Sequence, residues 1–248
     1  MPEPAAEAAT VLPDGDIERV LVVGAHPDDI DFGVAGSVAM WTDAGLAVTY
    51  LLCTDGQAGG FDELIDRAQI PDIRRAEQRA AAKQVGVTDV RFLGHVDGEL
   101  AVTDELVRDI VRVIRSVRPD RMVFQSPERR YDRIGGSHPD HLAAGEASIR
   151  ALYPFSRNPF AFPELAAEEG LPAWTVREMW IAGHPVTNHV VDVTDAAERK
   201  LAALREHASQ HPDPEGMQSR VRQWMRMTAE QAGMPGRMAE GFAVYPCG

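Results

Sequence analysis

Read for its hydrophobic and polar positions, the chain alternates short apolar runs with longer amphipathic stretches. Residues 20–23, Val-Leu-Val-Val, form a continuous run ending at Gly24, the pattern of a strand buried on both faces. A helical stretch follows over 32–44. A second apolar run over 48–53 stops at Thr54-Asp55-Gly56, and a polar, Gly-rich stretch leads to an Ala-rich helix over 72–85. Residues 90–93 read as a third strand and 122–124 as a fourth. Between them, 103–117 reads as a helix with Leu106, Ile110, Val113 and Val117 on one stripe. Strands alternating with helices through short connections predict an α/β protein, its mostly parallel sheet covered by helices on both faces.

The last hundred residues are less regular. Residues 154–172 hold four prolines and predict a loop-rich excursion. Strands are expected over 176–181 and 189–193, and a helix over 194–207 with Thr194 as its N-cap. Beyond His211 no element is assigned.

Ligands of open parallel sheets bind outside the carboxyl ends of the strands, near the point where strand order reverses. The chemistry is therefore expected in the loops 24–31, 54–61, 94–98 and 125–141. The first contains Ala25-His26-Pro27-Asp28-Asp29 and the fourth Ser137-His138-Pro139-Asp140-His141. Alone, either is ordinary, since a histidine after a strand is mostly a hydrogen-bonded loop residue and an Asp pair mostly a turn or helix cap. Together they bring three of the chain's 8 histidines and three aspartates to one crevice, at the ends of strands expected to be neighbours.

Catalytic zinc is held by three His or carboxylate ligands with a fourth position open to water. His26 and Asp29 are three apart in sequence, as are His138 and His141, so each pair shares one side of a tight turn. With His26, Asp29 and His141 as ligands, two imidazoles and one carboxylate leave the ion enough charge to acidify its water. Asp28 is then the general base and His138, protonated, the group that stabilises the tetrahedral intermediate and protonates the departing amine. Asp140 would orient His138. The assignment requires nitrogens of His26 and His141 to lie within about 6 Å of each other.

Composition narrows the field. The 248 residues carry 38 acidic and 25 basic side chains, a net charge of −13, which argues against nucleic acid or an anionic membrane as partner. A chain of this size can bury roughly three quarters of its unfolded surface, and residues 17–248 are expected to form a single domain. Residues 1–16, rich in Ala, Pro and Glu, predict a disordered or loosely attached tail without signal-peptide character. No stretch approaches the roughly 18 apolar residues of a membrane span. Two distant cysteines, Cys53 and Cys247, suit a reducing, cytoplasmic setting.

The motif Ala-His-Pro-Asp-Asp after the first strand, Thr-Asp-Gly after the second and His-Pro-Asp-His after the fourth resemble the LmbE-like, or PIG-L, superfamily of zinc-dependent de-N-acetylases. The resemblance runs from about Val20 to Gly145 and more faintly through Lys200-Leu201-Ala202-Ala203-Leu204 and His207-Ala208-Ser209-Gln210. It implies a Rossmann-like sheet, one zinc ion per chain and hydrolysis of the acetamide of an N-acetylated amino sugar or its conjugate. Carried over by motif, the ligands fall on His26, Asp29 and His141, the base on Asp28 and the charge-stabilising histidine on His138. Arg74, three residues before Glu77, becomes a candidate for gripping substrate, and Asp97 a candidate for sugar hydroxyls. The family also assembles as trimers or hexamers, an oligomeric state these residues do not specify. Two departures stand out. Gly136 occupies the position where some relatives carry a tyrosine, and Ile30-Asp31 follows the Asp pair where many have Glu.

Other readings explain less. A signalling receiver would use Asp28-Asp29 to hold magnesium, yet no aspartate ends the third strand and only two lysines, Lys83 and Lys200, occur. No P-loop, dinucleotide fingerprint or nucleophile elbow is present. His95 has no spaced partner and reads as structural, and His184 and His189, five apart near the late strands, are not expected to reach the site. A catalytically silent metal- or sugar-binding protein, and an amidase of a related sugar-amide or thiol conjugate, are the remaining alternatives.

Overall fold

The computed structural model describes residues 10–132 and 134–248. Seven strands form one sheet: β1 (Arg19–Gly24), β2 (Ala47–Thr54), β3 (Asp89–His95), β4 (Arg121–Gln125), β5 (Glu178–Ala182), β6 (His189–Asp192) and β7 (Ala239–Pro246). Their order is β3-β2-β1-β4-β5-β7-β6. The first five are mutually parallel, and β7 runs antiparallel to both β5 and β6. The expected mostly parallel α/β sheet is therefore present.

Alternation within β1 explains its unbroken apolar run. Val20 and Val22 face one core, with Val34 and Val38 of α1 (Asp29–Asp43), Ala81 of α2 (Ile70–Gln84) and Ala203 of α6 (Ala197–Arg205). Leu21 and Val23 face the other, with Ile110 and Ile114 of α3 (Asp104–Val117) and Ala144 and Ala147 of α4 (Pro139–Arg150). Each face is covered by helices, so the buried positions 20–23 are all apolar.

From β1 the chain steps outward through β2 to β3, then returns to place β4 on the other side of β1. Strand order reverses there, and a crevice opens where the loops after β1 and β4 diverge. The amide of Ala25 donates to Gln125 Oε1 at 3.0 Å and ties the two strand ends together. Packing under the second loop is tight: a Cβ on Gly145 would stand 2.3 Å from the Gln125 carbonyl oxygen. Only glycine lets α4 lie that close to β4.

Three elements differ from expectation. Thr194 opens a 3₁₀ turn, and its hydroxyl donates to Asp192 at 2.6 Å instead of capping the following helix, whose N-cap is Ala196. The hydroxyl oxygen is in turn occupied as an acceptor by the Met238 amide at 2.9 Å, which leaves it no role toward the helix amides. The Pro-rich stretch contains a π-helical turn (Ala151–Phe155) and the short α5 (Pro163–Ala167). Past His211 lie α7 (Pro214–Gln231), whose Met217, Val221 and Met225 pack on Leu201 and Leu204 of α6, and then β7.

Residues 1–9 of the expected tail lie outside the described residues. Its remainder contacts the body. The amide of Leu12 donates to Glu178 at 3.0 Å, and Arg121 pairs with Asp14 at 2.8 Å. Among the described residues, no helix is long and apolar enough to cross a membrane.

Candidate active site

The loop after β1 makes a sharp turn into α1. Asp28 occupies the position before the first helical residue with φ +93°, and Asp29 begins the helix. Two consecutive carboxylates thereby take separate partners. Asp29 turns inward: its Oδ2 accepts from the His26 amide at 2.7 Å and lies 3.2 Å from His26 Nδ1. Its Oδ1 lies 3.0 Å from His141 Nε2. Asp28 points to Arg74, its Oδ2 lying 3.3 Å from the guanidinium.

The second loop delivers His138 and His141 at the start of α4. His138 is that helix's N-cap; its Nδ1 accepts from the Asp140 amide at 3.2 Å. Nitrogens of His26, His138 and His141 lie within 4.8 Å of one another, inside the separation the sequence required. His26, Asp97 and Asp140 form a second group of this kind.

His26 Nε2 explains that second group. It lies 3.0 Å from Asp97 Oδ1 and 3.2 Å from Asp140 Oδ2, and those carboxylates are anchored in turn by the amides of Ala58 and Gly98. A proton on Nε2 shared with them leaves Nδ1, on the Asp29 side, as the free lone pair. Asp140 therefore sits against His26, while its other oxygen is 3.9 Å from His138 Nδ1. Asp97 is likewise buried against His26.

Arg74 is also buried. It donates to the carbonyl of Gly56 at 2.9 Å and to that of Pro27, and so clamps the loops after β1 and β2 beneath Asp28. Gly56, at φ +65°, has no room for a Cβ beside this guanidinium. Asp55 of Thr54-Asp55-Gly56 pairs with Arg75.

The electrostatics ask for a cation. Burial opposes charge on His26, but hydrogen bonds to Asp29 and Asp97 outweigh it and push the imidazole up to about 11. Burial likewise disfavours ionised Asp29, yet His141 and His26 hold it well below the usual carboxylate range. Burial raises Asp28 to about 6 against the pull of Arg74. A divalent ion between His26 Nδ1, Asp29 and His141 Nε2 would meet the same demand. Atoms sharing a tetrahedral ion at zinc-like bond lengths stand about 3.4 Å apart, close to the 3.2 and 3.0 Å separations from Asp29.

A cavity of about 560 Å³ opens beside this cluster, its lining including Asp29, Phe32, Arg130, Gly136, His141 and Trp224. Gly136, in the position of the missing tyrosine, is part of its wall. Of the unassigned histidines, His95 faces Asp109, His184 pairs with Glu128 at the cavity wall, and His189 packs on Trp180.

Sequence reasoning missed several neighbours of Asp28. Gln78 accepts its amide at 2.8 Å, and His211 Nε2 lies 3.9 Å from its carboxylate. His207 is buried against Asp31 at 2.9 Å. Only His207 carried a signal, as part of the fainter C-terminal resemblance.

Fold and site together define an α/β protein whose His/Asp cluster at the strand-order reversal could hold a metal ion. A sequence model of the family described as PIG-L, GlcNAc-PI de-N-acetylase, matches residues 21–152. The chain belongs to this family and is a deacetylase, a hydrolase acting on amides. It is 34% identical over 201 residues to a diacetylchitobiose deacetylase of Thermococcus kodakarensis, covering 81% of this chain and 73% of that one. A probable N-acetyl-α-D-glucosaminyl L-malate deacetylase 2 of Bacillus cereus is 36% identical, covering 77% of this chain and 83% of that protein. Among solved structures, the N,N'-diacetylchitobiose deacetylase of Pyrococcus horikoshii superposes with a TM-score of 0.86 at 32% identity, over 94% of this chain and 86% of that one.

Proposed function

We propose that this enzyme is a zinc-dependent de-N-acetylase that removes the acetyl group from an N-acetylated amino sugar or its conjugate. His26, Asp29 and His141 hold one zinc ion per chain, Asp28 is the general base and His138 the donor to the developing oxyanion. The carrying observation is the Asp29 carboxylate seated between His26 and His141, with Asp28 beside it at the strand-order reversal. N-acetylglucosamine is common to the substrates named for the two curated relatives described above, which supports that sugar as the group presented to the cluster. The cavity leaves space for what is attached to it. The cytoplasm is the compartment we infer, with both described cysteines free. Assembly into a trimer or hexamer rests on the resemblance alone.

Bound zinc would supply Lewis acidity toward water and the amide carbonyl. The remaining work falls to the chain. Asp28, raised to about 6, is ionised at neutral pH and basic enough to take the proton of the attacking water. Arg74 holds that carboxylate in place. His138 Nδ1 accepts the Asp140 amide, so a neutral ring carries its proton on Nε2. Burial and the neighbouring His26 and His141 lower the His138 pKa and favour this neutral form over the protonated ring expected from the sequence, so the proton for the leaving amine is assigned to Asp28 instead. Its Nε2–H donates to the carbonyl oxygen as negative charge grows there. On collapse, the proton held at Asp28 passes to the departing amine, giving acetate and the free amino sugar.

The test couples elemental analysis with acetate release from N,N'-diacetylchitobiose, GlcNAc–malate and GlcNAc–inositol. One zinc per chain is expected, and Asp28→Ala should lower kcat by about 10²–10⁴-fold. Unchanged turnover in Asp28→Ala removes the base. Tight zinc without acetate release from any of these compounds makes the chain a silent relative.

A further inference from the structure

Asp28 holds a conformation that aspartate rarely adopts, and its cause is buried beneath the site. At φ +93° its N–H meets Gln78 Oε1 at 2.8 Å. Gln78 cannot rotate away: its Nε2 donates to Asp31 Oδ2 at 2.7 Å. The same Asp31 oxygen is 2.9 Å from His207 Nε2. Gln78, Asp31 and His207 have no exposed surface, and they come from α2, α1 and the turn after α6. None of them lines the cavity.

A buried amide is costly to leave unpaired, and φ near +90° is costly for a residue with a Cβ. Without the Gln78 acceptor, both penalties would be relieved together by turning the Asp28 peptide back. That movement would displace its carboxylate from Arg74, which it now meets at 3.3 Å. We propose that Gln78, oriented by Asp31 and His207, is a positioning residue that fixes the Asp28 backbone and so aims the base. The inference rests on the reading of Asp28 as the general base.

The experiment uses zinc-loaded full-length enzyme and three readouts: kcat and KM for acetate release, zinc affinity by competition titration, and thermal melting. Gln78→Met keeps the volume and removes both hydrogen bonds. It should lower kcat by about 10–100-fold, as small misplacements of reacting groups do, with KM and zinc affinity near wild type. In the exchange pair Gln78→Glu with Asp31→Asn, the carboxylate accepts the Asp28 amide, and the new amide donates to it and to His207. Each single change should depress kcat, and the pair should recover most of it.

If Gln78→Met melts earlier but keeps its kcat, Gln78 is only packing and the inference falls. It falls equally if zinc affinity drops with kcat, since the network would then shape the metal loop. Should Gln78→Met not fold, the exchange pair decides, because additive losses without recovery overturn the proposal. Asp28→Asn separates the two readings. An inactive Asp28→Asn beside a fully active Gln78→Met sinks only the positioning role, whereas an active Asp28→Asn sinks the base itself.

Discussion

Around the middle of α1, the carboxylate of Glu240 enters from β7 and finds every partner within the chain. Its Oε1 accepts the Gly36 amide at 3.0 Å and Lys200 Nζ at 2.5 Å, and its Oε2 accepts the amide and hydroxyl of Ser37. Lys200 spends another proton on the Phe32 carbonyl at 2.7 Å. At the start of the same helix the arrangement is opposite. Among the described residues, Asp28, Asp29, Asp97 and Asp140 converge on the guanidinium of Arg74 and on histidines that must gain protons to balance them. Asp140 Oδ1 is buried with no hydrogen-bond partner. Buried charge is tolerated when it is paired and hydrogen-bonded. The closed cluster joins α1, α6 and β7 as a structural tie. The open one keeps a charge deficit, and that deficit is the signature of a place built for a cation.

This contrast can be broken from either side. The largest effect should come from the open cluster: His141→Ala removes a proposed ligand and should lower acetate release and zinc affinity by more than a hundredfold, beyond the 10–100-fold typical of outer partners. In zinc-free protein its urea midpoint should change little, because the lost group served the ion and not the fold. Lys200→Met should do the reverse. It strands Glu240 in the interior, costing about 3–5 kcal/mol of stability in urea denaturation and leaving kcat per folded molecule near wild type. Equal effects of the two changes on stability would erase the distinction.

Asp140→Asn sharpens the boundary. Its oxygen can still accept from His26 Nε2 and Gly98, but the charge that steadies the imidazole is gone. Zinc affinity should fall by about 10–100-fold, measured against a competing chelator. The smallest effect concerns His211, packed edge-on against Phe32. Burial, with His207 and Arg74 nearby, pushes its pKa down to about 4 from about 6.5 in an unfolded chain. Between those values the unfolded state binds more protons, so stability present above pH 6.5 is lost as pH falls toward 4. His211→Asn should flatten that slope in denaturation curves taken across the window. An unchanged slope would show that this ring does not titrate with unfolding.

Much of the architecture was legible because it depends on local pattern. The four apolar runs with intervening amphipathic stretches mark β1 to β4 and their helices, since strands packed under helices on both faces favour apolar side chains at successive positions. The C-terminal part was harder to read for different reasons. Helix α7 did carry a readable stripe, Met217, Val221, Met225 and Ala229, with Asp213 capping its first turn. Strand β7 carried none. Its direction and its insertion between β5 and β6 follow from ladder partners distant in sequence. Thr194 had the composition of a cap, but its hydroxyl donates to Asp192 and accepts the amide of Met238, 44 residues away.

What the chain encoded by itself is the inventory: apolar runs of strand length, two His/Asp loops at strand ends, and spacing that puts His26 near Asp29 and His138 near His141. Tertiary structure decided how that inventory is used. It brought the two loops together by placing β4 against β1, and it buried Arg74 and Asp97 beneath the site. It set Asp140 against His26 and turned the Asp28 backbone through Gln78. Periodicity and spacing act over a few residues, whereas the direction of a side chain at a site depends on contacts fifty to two hundred residues away, formed only when the sheet closes its order.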